Sequence, residues 1–222
     1  MSGPPRRTVH CADAFAWLDS QPSLAGCSFI TSLPDVSELA GHSLDAWRAW
    51  FVDAAARLMR RTPDDGVAIF YQTDIKKSGV WIDKAQLVLE AAAREKVALH
   101  WHKIVCRRPA GTITFGRPAY SHMLCFSRGL KLDLAHASPD VLPDAGHATW
   151  TRGMGEQACK LACRYVLEAT PTRTVVDPFC GQGMVLAAAN ALGLDGIGVE
   201  LSAKRARKAR TLSLGIAGVP GR

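Results

Sequence analysis

Apolar positions along this chain fall into two rhythms. Continuous runs at Cys27–Thr31 (CSFIT) and at residues 67–71 (VAIFY) read as strands buried on both faces. Leu44, Trp47, Trp50, Phe51, Ala55 and Leu58 instead recur at helical spacing behind Ser43, a residue type that caps helices, and Pro63 to Gly66 ends that helix. Helical spacing returns over residues 80–95, Glu156–Ala169, residues 184–192 and residues 202–212. Further strands are predicted at residues 8–11, 97–106, 120–126, 174–176 and 196–200, with a short helical piece running through Leu18. The first ten residues are polar and proline-rich and are expected to fray. Residues 129–152, with Pro139, Pro143 and scattered Gly, His and Asp, read as a long loop.

Strands therefore alternate with helices nearly throughout, which predicts an α/β fold: a mostly parallel sheet with helices on both faces. Two successive strand segments near residues 97–127 break the alternation, and an antiparallel hairpin at the sheet edge accounts for them. No internal repeat occurs, and a single domain over residues 1–222 is expected.

Composition adds boundaries. The 222 residues are 48% hydrophobic and 21% charged, ordinary for a globular chain, and no apolar run approaches the length of a membrane span. The N-terminus MSGPPRRT has no hydrophobic region of the kind signal peptides carry, so no signal peptide is expected. Seven cysteines include no CxxC pair; reduced thiols of a cytoplasmic protein are expected, and no metal site. The net charge of +7, with groups at Lys103, Arg107, Arg108 and at Lys204, Arg205, Arg207, Lys208, Arg210, leans towards a polyanionic partner, although each group also suits a solvated face.

The strongest local chemistry lies in TVVDPFCGQGMVLAAANALGLDGIGVEL, residues 174–201. A buried strand ends at Asp177, a turn follows with Gly181 and Gly183, and a helix begins; glycine there lets the backbone pass close beneath a ligand. A second strand ends in Glu200, whose carboxylate suits ribose hydroxyls. A nicotinamide site would instead expect GxGxxG directly after the strand.

DPFCGQG followed by IGVEL resembles the S-adenosylmethionine motif of nucleic-acid methyltransferases. The resemblance implies a Rossmann-like class I methyltransferase fold with a seven-stranded sheet, and S-adenosyl-L-methionine as cofactor. Asp177, Pro178, Phe179, Cys180, Gly181, Gln182, Gly183, Glu200 and Leu201 would hold it. The motif comes late in the chain, so the remaining strands must precede it. In that order VHCADAFAWL resembles the segment that opens permuted DNA amino-methyltransferases, placing Asp13 and Ala14 near the cofactor adenine. SFITSLPD resembles their strand and catalytic loop, bringing Thr31 to the cofactor. FGRPAYSHMLCFS resembles a late strand, and GMGEQACKLACRYVL the helix before the cofactor motif. The chain thus divides into a catalytic half (1–127), a loop (128–152) and a cofactor half (153–222).

In the amino-methyltransferases the loop reads Asp/Asn/Ser-Pro-Pro-aromatic, and its ring stacks on a flipped base. Here it is Ser32-Leu33-Pro34-Asp35, and the lost ring removes stacking worth roughly 1–3 kcal/mol per base. Asp35 supplies a carboxylate instead and is the expected base or substrate-orienting residue, or else a cap of the next segment. Ser32, Pro34 and Asp74 complete the candidate catalytic set; Tyr71, Trp101, Tyr120 and His122 are pocket candidates. Arg107, Arg108, Arg117 and Tyr120 are expected to contact substrate, and the basic C-terminal helix suits a phosphate backbone. With no separate recognition region, structured RNA ranks first as substrate, DNA amino-methylation second and a small molecule third. A non-catalytic cofactor-binding subunit is the alternative of another class, and a homodimer or a recognition subunit is an expected partner.

Overall fold

The computed structural model describes residues 3–39, 41–77 and 79–214. Among them, one eight-stranded sheet forms the centre. In chain order its strands are β1 (Arg7–His10), β2 (Cys27–Thr31), β3 (Ala68–Gln72), β6 (Ala98–Cys106), β7 (Tyr120–Ser127), β8 (Val141–Leu142), β9 (Thr174–Asp177) and β10 (Asp195–Val199). A separate two-stranded ribbon pairs β4 (Ile75–Lys77) with β5 (Val80–Ile82). Across the sheet the order is β1-β10-β9-β2-β3-β7-β6-β8. The two C-terminal strands thus lie between the N-terminal β1 and β2, as the permuted motif order requires.

The parallel strands β1, β10, β9, β2 and β3 carry their C-terminal ends to one rim. There β7 runs antiparallel to β3, with Gln72 opposite His122. One face of the sheet presents Phe29, Phe70, Leu124 and Phe126 to α2 (Leu44–Arg61) and α3 (Lys84–Glu95). The other presents Ile30, Ile69, Met123 and Cys125 to α4 (Glu156–Ala169) and α5 (Met184–Ala191). This alternation along single strands is the period-two geometry of a sheet covered on both sides. Ser43 caps α2 by accepting from Ala46 N at 3.2 Å, a contact worth about 1 kcal/mol. The two remaining helices are α1 (Ala14–Ser20) and α6 (Ala203–Thr211).

Four expectations are corrected. The sheet has eight strands, not seven, because β8 forms inside the segment read as pure loop and pairs parallel with β6. This puts β8, not the β6–β7 hairpin, at the edge. Residues 80–95 are not one helix: Val80–Ile82 is a strand, and Asp83 starts α3 by accepting from Gln86 N at 3.0 Å. The N-terminal segment does not fray from Arg7 onward. Its backbone pairs with β10, and the Arg7 guanidinium donates to Asn190 Oδ1 at 2.7 Å and to the Ala209 carbonyl at 3.1 Å. All seven cysteines are free thiols, and no helix among the described residues is long and apolar enough to cross a membrane.

Candidate functional site

A cavity of about 470 Å³ opens at the C-terminal rim over β10, β9 and β2. Its floor is the turn after β9. Asp177 Oδ1 accepts from Phe179 N at 3.2 Å and from Thr31 Oγ1 of β2 at 2.7 Å. Gly183 closes the turn at φ 87°, where a Cβ would lie 2.7 Å from Ala209 Cα of α6. Glycine is required there twice over, for the left-handed backbone and for the helix approach. Burial pushes the Asp177 carboxyl up to about 7, with nearby Glu200 adding to the rise and the Thr31 and Phe179 hydrogen bonds opposing it. Burial also pushes the Cys180 thiol up, so it sits in the wall as a neutral, unreactive group.

The wall opposite is the end of β10. Glu200 Oε1 accepts from Ser202 N at 2.8 Å, and its other oxygen makes no hydrogen bond among the described residues. The Arg205 guanidinium packs over the Trp150 ring at 4.6 Å, and both line the cavity with Glu200. Asp13 lines it as well, while capping α1 through bonds from Phe15 N and Ala16 N. Phe15, Trp50 and Phe179 meet edge to face, with centroids 5.8 to 6.2 Å apart.

Ser32, Leu33 and Pro34 enter the same cavity from the end of β2. The Pro34 carbonyl accepts from Trp47 Nε1 at 3.1 Å, so a buried ring anchors the loop from behind. Asp35 does not line the cavity. It is 4% exposed, and its two oxygens meet Lys84 Nζ of α3 and the Arg117 guanidinium of the β6–β7 loop. Lys84 is itself 3% exposed; burial lowers its pKa and the Asp35 charge opposes that.

Of the predicted cofactor residues, Asp13, Ala14, Pro178, Phe179, Cys180, Gly181, Gln182, Leu201, Asp177 and Glu200 line the cavity. Thr31 and Gly183 stand behind them, supporting Asp177 and the turn. Asp74, Arg107, Arg108, Arg117 and Tyr120 lie outside it. Asp74 is buried and accepts from Trp81 Nε1 at 3.0 Å and Lys84 N at 2.9 Å, with His122 Nε2 at 3.2 Å. Burial alone would raise its carboxyl, yet these hydrogen bonds hold it below its ordinary value. His102 Nε2 follows at 2.9 Å from His122 Nδ1, continuing the chain. Asp74, Asp83 and His122 bring one ligating atom each within 4.8 Å of one another, a grouping that no spacing in the sequence marks. The hydrogen bonds just given, and the cap made by Asp83, account for it. Within the C-terminal basic helix, Arg205 faces the cavity and Arg210 donates to the Val9 carbonyl at 3.0 Å, while Lys204, Arg207 and Lys208 are exposed.

Trp50, Trp150, Arg152 and Arg205 are cavity residues that the sequence does not reveal. The spacing of Trp50 assigns it to a helix core, and Trp150 and Arg152 fall in the segment read as loop. No local signal marks Trp150 and Arg152, because only the return of residues 149–154 over the turn after β9 places them, and Trp50 and Arg205 reach the cavity from α2 and α6.

No protein-family model matches the sequence, and no curated protein matches it. Solved structures do. The PvuII DNA methyltransferase, described as cytosine-N4-specific, superposes with a TM-score of 0.73 over 97% of this chain and 92% of its own, at 15% identity. A putative DNA modification methylase from Thermus thermophilus, complexed with S-adenosyl-L-methionine, gives 0.68 over 92% of each chain at 18% identity. The M1.HpyAVI complex with the same cofactor gives 0.62 over 92% of this chain and 97% of its own at 12% identity. What is shared at these identities is the architecture: this chain has the Rossmann-like class I methyltransferase fold of those DNA methyltransferases, with β9 and β10 late in the sequence.

Proposed function

We propose that this chain is an S-adenosylmethionine-dependent methyltransferase acting on an exocyclic amine of a base in DNA. The observation that carries the reading is one cavity into which the turn after β9, the end of β10 and the Ser32-Leu33-Pro34 loop all open. Its chemistry fits the cofactor. Glu200 keeps one carboxylate oxygen for ribose hydroxyls, Asp177 offers a buried carboxyl to a cationic group, and the Gly181–Gly183 turn lets backbone approach closely. The size is that of a pocket for a nucleoside-sized ligand. When bound, the cofactor supplies an electrophilic methyl group.

The protein's part is positioning. Ser32 accepts a hydrogen bond from the target amine and orients its lone pair, while Trp47 holds the loop through the Pro34 carbonyl. Asp35 acts here as a positioning residue rather than a base, since both its oxygens are engaged by cations. The missing ring of the loop counts against amine chemistry in the sequence. Trp50 and Trp150, in the wall of the same cavity, offer other apolar faces to a base. DNA takes precedence over RNA because the structural relatives are DNA methyltransferases by name, and the RNA preference drawn from the sequence finds no support among them.

Incubation with methyl-labelled cofactor and separate DNA, tRNA and rRNA pools tests this. Label is expected in DNA, released on digestion as an N-methylated base, and Ser32→Ala lowers the rate by roughly 100-fold or more with cofactor affinity kept. Label in RNA alone would overturn the DNA assignment, and bound cofactor without transfer to any pool would favour the binding-subunit alternative.

A further inference from the structure

The loop between β6 and β7, residues 107–119, emerges at the rim that carries the cavity, because β7 starts beside the C-terminal end of β3. It is pinned at several points. Arg107 N and Arg108 N both donate to the Ala119 carbonyl, at 2.7 and 3.0 Å. Lys76 Nζ of the β4–β5 ribbon reaches the Thr114 carbonyl at 3.4 Å, and Arg117 is clamped on Asp35 beside the Ser32 loop. Yet on this anchored loop Phe115 is 94% exposed and Ile113 81% exposed. The neighbouring ribbon adds Trp81, partly exposed, with Lys76 Nζ 4.7 Å above its ring.

Single exposed apolar residues are common. This group differs in its company. Lys76, Lys77, Arg107 and Arg108 share the two hairpins, whereas of the nearby acids Asp35 and Asp74 are buried and bonded, leaving exposed Asp83, the cap of α3, against four cations. Cations beside exposed rings are what a nucleic acid meets, phosphates on the charges and bases on the apolar faces. A membrane surface would want the same side chains, but it gives no reason for the loop to be tied through Arg117 and Asp35 to the segment holding Ser32.

We propose that the β6–β7 loop is a DNA-docking element in which Phe115 stacks on the bases of a duplex opened next to the modified base, with the surrounding lysines and arginines on its phosphates. The assignment rests on the reading of the cavity as a methyl-transfer site for DNA.

The test uses the full chain and two fluorescent random-sequence duplexes, one intact and one with a central abasic site, read by anisotropy. The wild-type protein is expected to bind the abasic duplex more tightly, because a stacking gap is already open. Phe115→Ala loses roughly tenfold on that duplex and most of the preference, and Phe115→Trp keeps both. Arg108→Ala lowers affinity for both duplexes evenly and shallows the salt dependence by about one phosphate contact. Cofactor binding by Phe115→Ala stays at the wild-type level, which shows that the fold is retained. Equal binding of both duplexes by Phe115→Ala and wild type overturns the proposal, as does Phe115-dependent binding to phosphatidylserine vesicles without binding to duplex. Phe115-dependent duplex binding by a protein that takes up no cofactor leaves the loop assignment standing and removes the methyl-transfer reading; bound cofactor with Phe115-independent duplex binding does the reverse.

Discussion

The two sides of the rim, over β9 and β10 and over β2, β3 and β7, are built by different means. Over β9 and β10 the cavity wall comes from short stretches of chain, a turn of a few residues after Asp177 and the end of a strand at Glu200, held by backbone geometry and a few local hydrogen bonds. Over β2, β3 and β7, beyond the cavity itself, the rim is assembled by charge. Asp35 joins Lys84 and Arg117, the three coming from separate parts of the chain, and Asp74 joins Trp81, Lys84 and His122. A wall made from one turn tolerates change elsewhere but not at its glycines. A wall made from buried ions depends on every member of the group, because the loss of one leaves another unpaired in a poorly solvated interior.

The largest effect is therefore expected over β2, β3 and β7. Asp35→Ala leaves Lys84 buried without its counter-charge and should cost about 3–5 kcal/mol in urea unfolding, while the remaining native protein still binds cofactor. Replacing the pair together, Asp35→Leu with Lys84→Met, should recover most of that loss. A cost below about 1 kcal/mol for the single change would mean that the ion group does not hold this wall.

Next is the turn after β9. Gly183→Ala forces a side chain into a left-handed turn and onto Ala209, a strain of roughly 1–3 kcal/mol in stability. Its main consequence should be functional: calorimetric titration is expected to show cofactor affinity lost by more than tenfold. Unchanged affinity would separate the turn from the binding site.

The smallest effect, taken per unit of pH, concerns titration. Burial raises the Asp177 carboxyl from 3.8 in the unfolded chain to about 7. Between those values the folded state holds more protons than the unfolded one, so stability falls as pH rises through the window, by at most about 1.4 kcal/mol per pH unit. Melting temperatures from pH 5 to pH 7 should therefore decline more steeply for wild type than for Asp177→Asn. Ionisation above the raised value should also favour a cationic ligand, so cofactor affinity should increase from pH 6 to pH 8 in wild type and stay level in the variant. Parallel melting curves for the two proteins would show that Asp177 titrates as it would in water.

The sequence made much of the parallel part of the fold legible. Buried runs such as CSFIT carry their own strand signal, and Ser43 announced the start of α2. It was less informative where pairing decides the outcome. Val80–Ile82 sits in a stretch with helical spacing, yet it pairs with Ile75–Lys77. Val141–Leu142 is too short to signal a strand and becomes one because β6 offers it an edge. The same holds for the candidate site. Asp177, Gly181 and Glu200 were readable because a motif places them within one strand-turn-helix-strand unit, whereas Trp150 and Arg205 became cavity residues only when distant segments met.

By itself the sequence determined the order of the parts and the chemistry of the turn between β9 and α5, since both depend on backbone preferences and side-chain types within a few residues. Asp35 caps the Val36–Glu38 turn, as one reading of the sequence expected, but only the tertiary structure decided which cations it meets. Its partners lie 49 and 82 residues away in the chain, and no local rule says which cations a folded sheet will bring to a carboxylate. A buried carboxylate in a sheet rim either meets counter-charges that the packing brings, as Asp35 does, or is pushed towards its neutral form, as Asp177 is.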